Sequence, residues 1–251
     1  MNAPVPRLRV FAGPNGSGKS TVKENLPSAW LGVYVNADEI EKSIRTSGGL
    51  PLGDLGIEAT QLELAGFFRQ SSLLMRQSML SAAETITLDG TWVNFNDLPI
   101  NSYFASVLAD FIRHKLLQIQ TSFTFETVMS SPDKVEFMRK ARAAGFRTYL
   151  YFVATEDADI NVARVEHRVA MGGHPVPEDK IRSRYQRSLG LLFDAVTCTD
   201  RAYIFDNSGD EKVWIAEVTD GCELEMKVEF MPDWFKKSLW DRFKDEAAGG
   251  Q

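Results

Sequence analysis

Cysteine is scarce in this 251-residue chain: Cys198 and Cys222 stand alone, and neither sits in a C-x-x-C pair. That argues against a disulfide framework, and both are read as reduced thiols. Long apolar runs are missing too. Nothing approaches the roughly 20 consecutive apolar residues that a membrane-spanning helix needs. The N-terminus carries Arg7 and Arg9 but no apolar stretch behind them, so no signal peptide is expected. The expectation is a cytoplasmic protein with no membrane partner. An excess of basic charge is also lacking, since the formal net charge is −6. This disfavours non-specific nucleic-acid binding, which draws on Lys and Arg to neutralise phosphates, though it leaves room for a local basic site. There is no internal repeat and no low-complexity segment. What is present, 44% hydrophobic and 25% charged residues, is the composition of an ordinary soluble globular protein. The length suits one α/β domain with embellishments or two small ones, and is enough to bury a core without disulfides or structural metal.

Along the chain, β-rich and helical segments alternate. Leu8–Ala12 reads as a buried first strand, and the pattern turns helical from Lys19 to about Leu26, where Pro27 stops it. Val33–Val35 is a second strand, followed by a helix to about Ile44 that ends at Ser47-Gly48-Gly49. Ile57–Met79 reads as one helix with an imperfect apolar face, and Asp89-Gly90 as the turn of a tight hairpin. A helix then runs to Gln118. Ser122–Thr127 is the third strand, Pro132–Ala144 a helix, and Arg147–Val153 the fourth strand. Helices over Ala158–Ala170 and from Glu178 to about Leu192 precede a fifth strand, Ala202–Asp206. This alternation predicts an α/β fold with a parallel sheet of about five strands and helices on both faces. The tail reads as a hairpin, with a two-residue turn at Asp220-Gly221 that sets Ile215 opposite Met226. A last helix follows, with Phe235, Leu239 and Phe243 on one side as a packing stripe. Ala247–Gln251 is expected to fray.

The strongest motif is Gly13-Pro14-Asn15-Gly16-Ser17-Gly18-Lys19-Ser20-Thr21, a full match to G-x-x-x-x-G-K-[ST] between a strand and a helix. Small residues let successive backbone N–H groups turn inward around an anion, and the helix that follows adds its positive N-terminal end. Lys19 is then expected on the β- and γ-phosphates, the Ser20 hydroxyl on magnesium, and Thr21 near the α-phosphate. The implied ligands are ATP and Mg2+. The same string occurs in ABC-type ATPases, but their L-S-G-G-Q signature is absent, Ser47-Gly48-Gly49-Leu50 being in the wrong order and too early. The closing Asp-Glu of such ATPases is absent as well, for Leu88-Asp89 and Phe205-Asp206 are followed by Gly90 and Asn207. A small phosphotransferase fits better. An ATPase working within a larger complex, with no small acceptor, is the alternative.

A kinase also needs a carboxylate near an acceptor hydroxyl and cations to neutralise the transferred phosphoryl group. Asp38 lies just past the second strand, where the carboxyl ends of parallel strands meet a ligand crevice. Two readings fit it: a general base that orients the hydroxyl, or a helix N-cap, for which Asp is a preferred residue. Glu126 and Thr127 end the third strand at the same edge, as contacts to acceptor or magnesium or as a solvated strand end. Arg164, Arg168, Lys180, Arg182, Arg184 and Arg187 form a basic cluster around Gly172-Gly173-His174-Pro175-Val176-Pro177. Two arginine-bearing helices about a hinge would make a lid over the triphosphate, against the bland alternative of two solvated faces. His174 reads as a loop residue, because no second metal ligand sits at a suitable spacing.

These residues resemble the zeta toxin family of P-loop kinases, in particular the branch labelled predicted ABC-type ATPase or kinase. The matching pieces are Ala12–Thr21, Asn36–Ile40, Ser122–Thr127, the segment from Arg164 to Arg184-Tyr185, and Asp206-Asn207-Ser208-Gly209, in order over most of residues 8–210. The resemblance implies a single P-loop kinase-like domain over 1–251 that phosphorylates a sugar hydroxyl of UDP-N-acetylglucosamine, with a small protein antitoxin as partner. It implies that Asp38 is the catalytic Asp, Glu126 and Thr127 the acceptor-binding region, and Arg168 and Arg184 the phosphate-neutralising arginines, with Arg164 and Arg187 as close rivals. Arg164, Asn207 and Ser208 would lie by the nucleotide. Residues 47–99 are longer than the family pattern and read as an insertion on the acceptor side, residues 164–190 as the lid, and residues 211–251 as an added hairpin and helix.

Overall fold

The structure, a computed structural model, describes residues 4–96, 98–173 and 175–249. The chain divides into two compact units, one running to Leu31 and resuming at Thr124, the other Gly32–Phe123. In chain order the elements begin with β1 (Arg7–Ala12), α1 (Lys19–Lys23), α2 (Ser28–Leu31), β2 (Val33–Val35), α3 (Ala37–Ser47) and β3 (Gly49–Pro51). A 3-10 turn (Gly53–Leu55) leads to α4 (Gln61–Arg69), α5 (Ser72–Arg76), α6 (Leu80–Ala83), β4 (Thr87–Asp89), β5 (Trp92–Asn94) and α7 (Ser102–Gln118). Then come β6 (Phe123–Thr127), α8 (Pro132–Ala143), β7 (Arg147–Ala154), α9 (Ala158–Ala170), α10 (Glu178–Gly190) and α11 (Leu192–Thr197). The chain finishes with β8 (Arg201–Asp206), β9 (Val213–Thr219), β10 (Glu223–Met226), α12 (Asp233–Phe235), a π turn (Lys236–Trp240) and α13 (Asp241–Gly249).

In the first unit a sheet runs in the order β10-β9-β8-β7-β1-β6. β7 lies at its centre, parallel to β1 (Val10↔Leu150) and to β8 (Leu150↔Ala202). Its run Leu150-Tyr151-Phe152-Val153-Ala154 is buried along its whole length, as a parallel strand covered on both faces requires. Side chains alternate across a strand. Tyr151 and Val153 pack with Phe11 and with Val22 of α1, while Phe152 on the opposite face meets the Trp234 ring at 6.3 Å. The α/β reading with covered faces therefore holds, but the sheet is larger than the expected five strands. The C-terminal hairpin is not an appendage. β9 joins β8 in antiparallel fashion, Ala202 opposite Val218, and carries the sheet outward.

The register of that hairpin differs from expectation by one residue. Ala216, not Ile215, faces Met226, and Thr219 faces Glu223, which leaves a three-residue loop Asp220-Gly221-Cys222. Asp220 (φ 50°) and Gly221 (φ 75°) both take left-handed backbone. The Asp220 N–H is drawn to the Asp200 carbonyl at 2.9 Å and Cys222 N–H closes on Thr219 at 3.1 Å. Ile215 is fully buried and falls at the irregularity where the β8–β9 register shifts, Ile204 pairing with Ala216 and Phe205 with Trp214. Both cysteines are free: Cys222 is exposed, and burial pushes the Cys198 thiol up to about 11.

In the second unit α3 packs against α7. Asn36 caps α3, its Oδ1 accepting from the N–H groups of Asp38 (2.8 Å) and Glu39 (3.3 Å), and Gly48 at φ 75° ends it. The single helix expected over Ile57–Met79 is instead broken into short pieces. Thr60 forms a capping box with Glu63, and Ser71 caps α5 through Leu74 N–H. These hydroxyls satisfy backbone donors that a continuous helix would have used, and so start new helices. α1 is also shorter than expected, ending at Lys23. The expected hairpin forms, but Asp89 pairs with Trp92, so its loop is Gly90-Thr91. β3, which carried no strand signal, pairs with the other edge of β5 and completes a three-stranded sheet.

The last helical segment is part of the first unit's core. Phe235 and Leu239 are fully buried, and the Trp234 indole N–H donates to Asp206 Oδ2 at 2.6 Å. α13 continues to Gly249, and the remaining residues of the expected frayed end lie outside the described residues. Phe235→Ala is expected to destabilise the protein by about 3–5 kcal/mol, read as a lower urea midpoint with unchanged slope; a separately folding tail would leave the midpoint of the main transition unmoved.

Candidate functional site

The loop after β1 is shaped by glycines that cannot be replaced without collision. Gly13 has φ +140°, and a Cβ there would lie 2.0 Å from the Val153 carbonyl oxygen of β7. At Gly16 (φ +75°) a Cβ would lie 2.6 Å from the Asn161 carbonyl oxygen, and at Gly18 (φ +89°) 2.3 Å from Asn207 Nδ2. These conformations belong to the left-handed region that glycine alone enters freely. Two part-buried asparagine contacts hold the loop from outside. Asn161 Nδ2 donates to the Asn15 carbonyl at 2.5 Å and Asn207 Nδ2 to the Ser17 carbonyl at 2.8 Å. Asn161 is itself fixed by the Thr155 hydroxyl, and Tyr185 OH donates to the Thr155 carbonyl at 2.7 Å. Lys19 Nζ lies back over the loop, donating to Gly13 (2.9 Å) and Pro14 (3.0 Å) carbonyls. Asn15 Oδ1 and Ser17 Oγ are buried without a hydrogen-bond partner among the described residues. A cradle with no room for a side chain at its three glycines, a lysine over its mouth and unpaired polar atoms along it fits a polyphosphate.

Other sequence-selected residues gather around this loop. Ser20 Oγ donates to Glu126 Oε1 at 3.3 Å, so the carboxylate at the end of β6 stands at the hydroxyl expected to hold magnesium. Thr127 turns to its own chain, accepting from Met129 N–H at 3.0 Å where the backbone reverses at φ 51°. Thr21 Oγ1 donates to the Gly18 carbonyl at 2.8 Å. Asn207 N–H bonds the Ala154 carbonyl at 2.8 Å. Ser208 is held by Asp206, Oγ to Oδ2 at 2.9 Å, and in turn accepts from Glu156 N–H at 2.8 Å. The structure thus brings together the ends of β1, β6, β7 and β8, where ligands of open α/β sheets bind.

The arginines divide by role. Arg164 spans to the loop after β8, its two terminal nitrogens donating to the carbonyls of Asn207 (2.7 Å) and Gly209 (3.2 Å). Arg182 pairs with Glu178 and Asp159 and so joins α10 to α9; Val162, Val165 and Ile181 pack between those helices. Arg184 is half-buried and Arg187 exposed, and neither forms an ion pair among the described residues. Arg168 is exposed, with Gly173 packed on its stem. His174 lies outside the described residues.

Two contributors were missed by sequence reasoning. Lys212, in the loop after β8, extends Nζ to Thr21 Oγ1 at 3.3 Å; burial lowers its pKa, while Glu24 opposes the shift. Trp234 anchors Asp206, as described. Neither belongs to a recognisable motif, and only the folding of the tail onto this edge brings them in.

Asp38 lies in the second unit. The bland reading made it the cap of α3, but Asn36 takes that position, and Asp38 sits exposed on the first turn. Its carboxylate has no hydrogen-bond partner among the described residues. A cavity of about 220 Å³ opens beside this turn, with Tyr34, Asn36 and Glu39 on its wall.

The glycine cradle on a mainly parallel sheet defines a P-loop α/β protein. The Zeta toxin family model matches residues 100–219, from α7 through β9, and this bears out the resemblance drawn from the motifs. Over 72 residues the chain is 31% identical to an uncharacterized protein of Haemophilus influenzae, covering 29% of this chain and 51% of that one. Among solved structures, the PezAT chromosomal toxin–antitoxin system of Streptococcus pneumoniae matches at TM-score 0.50 and 12% identity, over 100% of this chain and 86% of that one. The AvrRxo1-ORF1:AvrRxo1-ORF2 structure with sulphate ions matches at TM-score 0.50 and 14% identity, over 88% and 61%. The chain therefore spans about half of the curated relative and under two thirds of the AvrRxo1 chain. At these identities the structural likeness is one of fold. No helix among the described residues is long and apolar enough to cross a membrane.

Asn207→Ala is expected to weaken ATP binding about tenfold, equivalent to ~1.4 kcal/mol, in a calorimetric titration, by releasing the Ser17 carbonyl. A second expectation concerns Glu156, whose pKa is raised by burial and then by Asp233 and Asp206. A raised carboxyl favours the folded state below its unfolded value, and that contribution is lost as pH rises through the folded value. Glu156→Gln should therefore be more stable than wild type at neutral pH, with the gap closing below pH 4.5. Parallel melting curves at both pH values check this.

Proposed function

We propose that this protein is an ATP- and magnesium-dependent phosphotransferase that moves the γ-phosphoryl group of ATP to a hydroxyl of a small molecule. The observation that carries this reading is the glycine cradle with Lys19 over it and Glu126 against the Ser20 hydroxyl. When bound, Mg-ATP supplies the activated phosphoryl group. Backbone N–H groups between Asn15 and Ser20 and the Lys19 ammonium hold the phosphates and offset the charge that develops on them. Ser20 and Glu126 hold the metal, so Glu126 serves the donor side first. Arg168 and Arg184 are the cations assigned to the transferred group, on helices that act as a lid. Arg164 acts by fixing the Asn207-Ser208 segment beside the nucleotide. Asp38 is the base: the acceptor oxygen bonds to phosphorus as the bridging bond to ADP breaks, and the hydroxyl proton passes to the Asp38 carboxylate.

The zeta toxin match makes UDP-N-acetylglucosamine the first acceptor to assay and a small protein antitoxin the first partner to seek. PezAT is described as a toxin–antitoxin system, which supports the same reading for partners. Asp38→Asn is expected to retain ATP affinity and lose acceptor phosphorylation by about 10²–10⁴-fold, the usual worth of a general base. Transfer at the wild-type rate by that variant would remove Asp38 from the mechanism.

A further inference from the structure

The connection from β8 to β9, residues 207–212, is pinned to the phosphate loop before the chain turns back. Asn207 Nδ2 holds the Ser17 carbonyl at 2.8 Å, and Asn207 N–H holds the Ala154 carbonyl at 2.8 Å. Arg164 holds the carbonyls of Asn207 and Gly209 at 2.7 and 3.2 Å. At the far end Val213 pairs with Asp206. These anchors fix where Lys212 stands. Asp210 and Glu211 beside it are exposed, whereas Lys212 is half-buried and extends Nζ to Thr21 Oγ1 at 3.3 Å. The motif therefore carries a lysine at each end. Lys19 Nζ lies on the Gly13 and Pro14 carbonyls at 2.9 and 3.0 Å, and Lys212 Nζ lies on the last residue, Thr21.

The Lys212 ammonium is poorly compensated in this place. It has three N–H donors, and the one bond it makes among the described residues goes to a neutral hydroxyl at long range. It forms no ion pair among the described residues, and Glu24 attracts it without contact. Burial lowers its pKa against that attraction, as desolvation of a cation does. A lysine with no ligand to meet would keep its head in water. A desolvated cation without a paired anion is costly unless a ligand brings the anion. Thr21 cannot replace it as a donor, because its hydroxyl proton goes to the Gly18 carbonyl at 2.8 Å. At this end of the loop the side-chain donors belong to Lys212.

The order of the motif decides which phosphate it meets. Backbone N–H groups of such a loop cradle the α- and β-phosphates, and the motif lysine reaches the β- and γ-phosphates. Thr21, expected near the α-phosphate, marks the α end. We infer that Lys212 is a second nucleotide-binding lysine, whose ammonium takes the α-phosphate. This rests on the ATP-binding part of the proposed function and not on the acceptor or the transfer step. The α-phosphate is common to ATP and ADP and is not transferred. Lys212 thus holds the nucleotide equally before and after reaction, a contribution to binding and not to the chemical step. The tail, residues 211–251, supplies a binding group as well as a support.

Calorimetric titration of ATP and ADP, each with magnesium, into wild type, Lys212→Met and Lys212→Arg tests this. Lys212→Met should lose about tenfold in affinity for ATP and the same factor for ADP, the scale of a hydrogen bond to a charged group. Lys212→Arg keeps the cation and should stay within about threefold of wild type. Lys212→Gln gives a second uncharged variant, and circular dichroism shows which variants fold. Phosphorus NMR of bound ADP should show the α resonance moved in the uncharged variants and the β resonance unmoved. Wild-type affinity in a folded uncharged variant would overturn the inference. So would a loss confined to ATP, which puts Lys212 at the γ-phosphate, or an α resonance that stays while affinity falls, which puts it on base or ribose. If wild type binds neither nucleotide, the ATP reading itself fails. If wild type binds both and the uncharged variants match it, only the Lys212 assignment fails.

Discussion

Everything at the nucleotide edge depends on one steric constraint: at Gly13, Gly16 and Gly18 the loop backbone has no room for a side chain. Three glycines meet the Val153 carbonyl, the Asn161 carbonyl and the Asn207 amide at distances that a Cβ would violate. The same closeness lets the Asn161 and Asn207 side chains bond two of the loop's carbonyls, and inward N–H groups of such a loop serve an anion. Pre-organisation of this kind costs no rearrangement when charge develops, which is why such loops serve phosphoryl transfer well.

The constraint passes outward through the fold. Asn207 is placed by β8, by Arg164 from α9 and by Asp206 acting through Ser208; Asp206 is held by Trp234 from the C-terminal segment. The tail that reads as an addition is in this sense a support for the nucleotide edge. Lys212, on the connection into that tail, reaches the Thr21 hydroxyl at the end of the motif.

Much of this was legible in the residues. The helix Ala158–Ala170 and the strands around residues 8, 150 and 204 follow directly from periodicity and from Gly and Pro stops. The loop was legible because its chemistry demands particular residue types in fixed order. What was not legible depended on partners distant in sequence. Gly49-Leu50-Pro51 becomes a strand only because β5 offers an edge. The hairpin register is set by Asp220 bonding Asp200, a contact no local pattern announces. The helix expected over Ile57–Met79 fails at Thr60 and Ser71, whose capping role needed weighing against a weak apolar stripe. At the site, Glu126 was placed at the correct strand end, but its contact with Ser20 emerges only from folding. Asp38 has the residue type of a helix cap, but Asn36, two residues earlier, fills that position.

The central claim is that phosphate leaves ATP for a bound hydroxyl and not for water. Phosphorus NMR of the wild-type protein with ATP, magnesium and a small-metabolite extract tests it most directly. The account predicts that ADP accumulates together with an equal amount of a new phosphomonoester, with little inorganic phosphate. ADP matched by inorganic phosphate alone, at a rate indifferent to the extract, would contradict it.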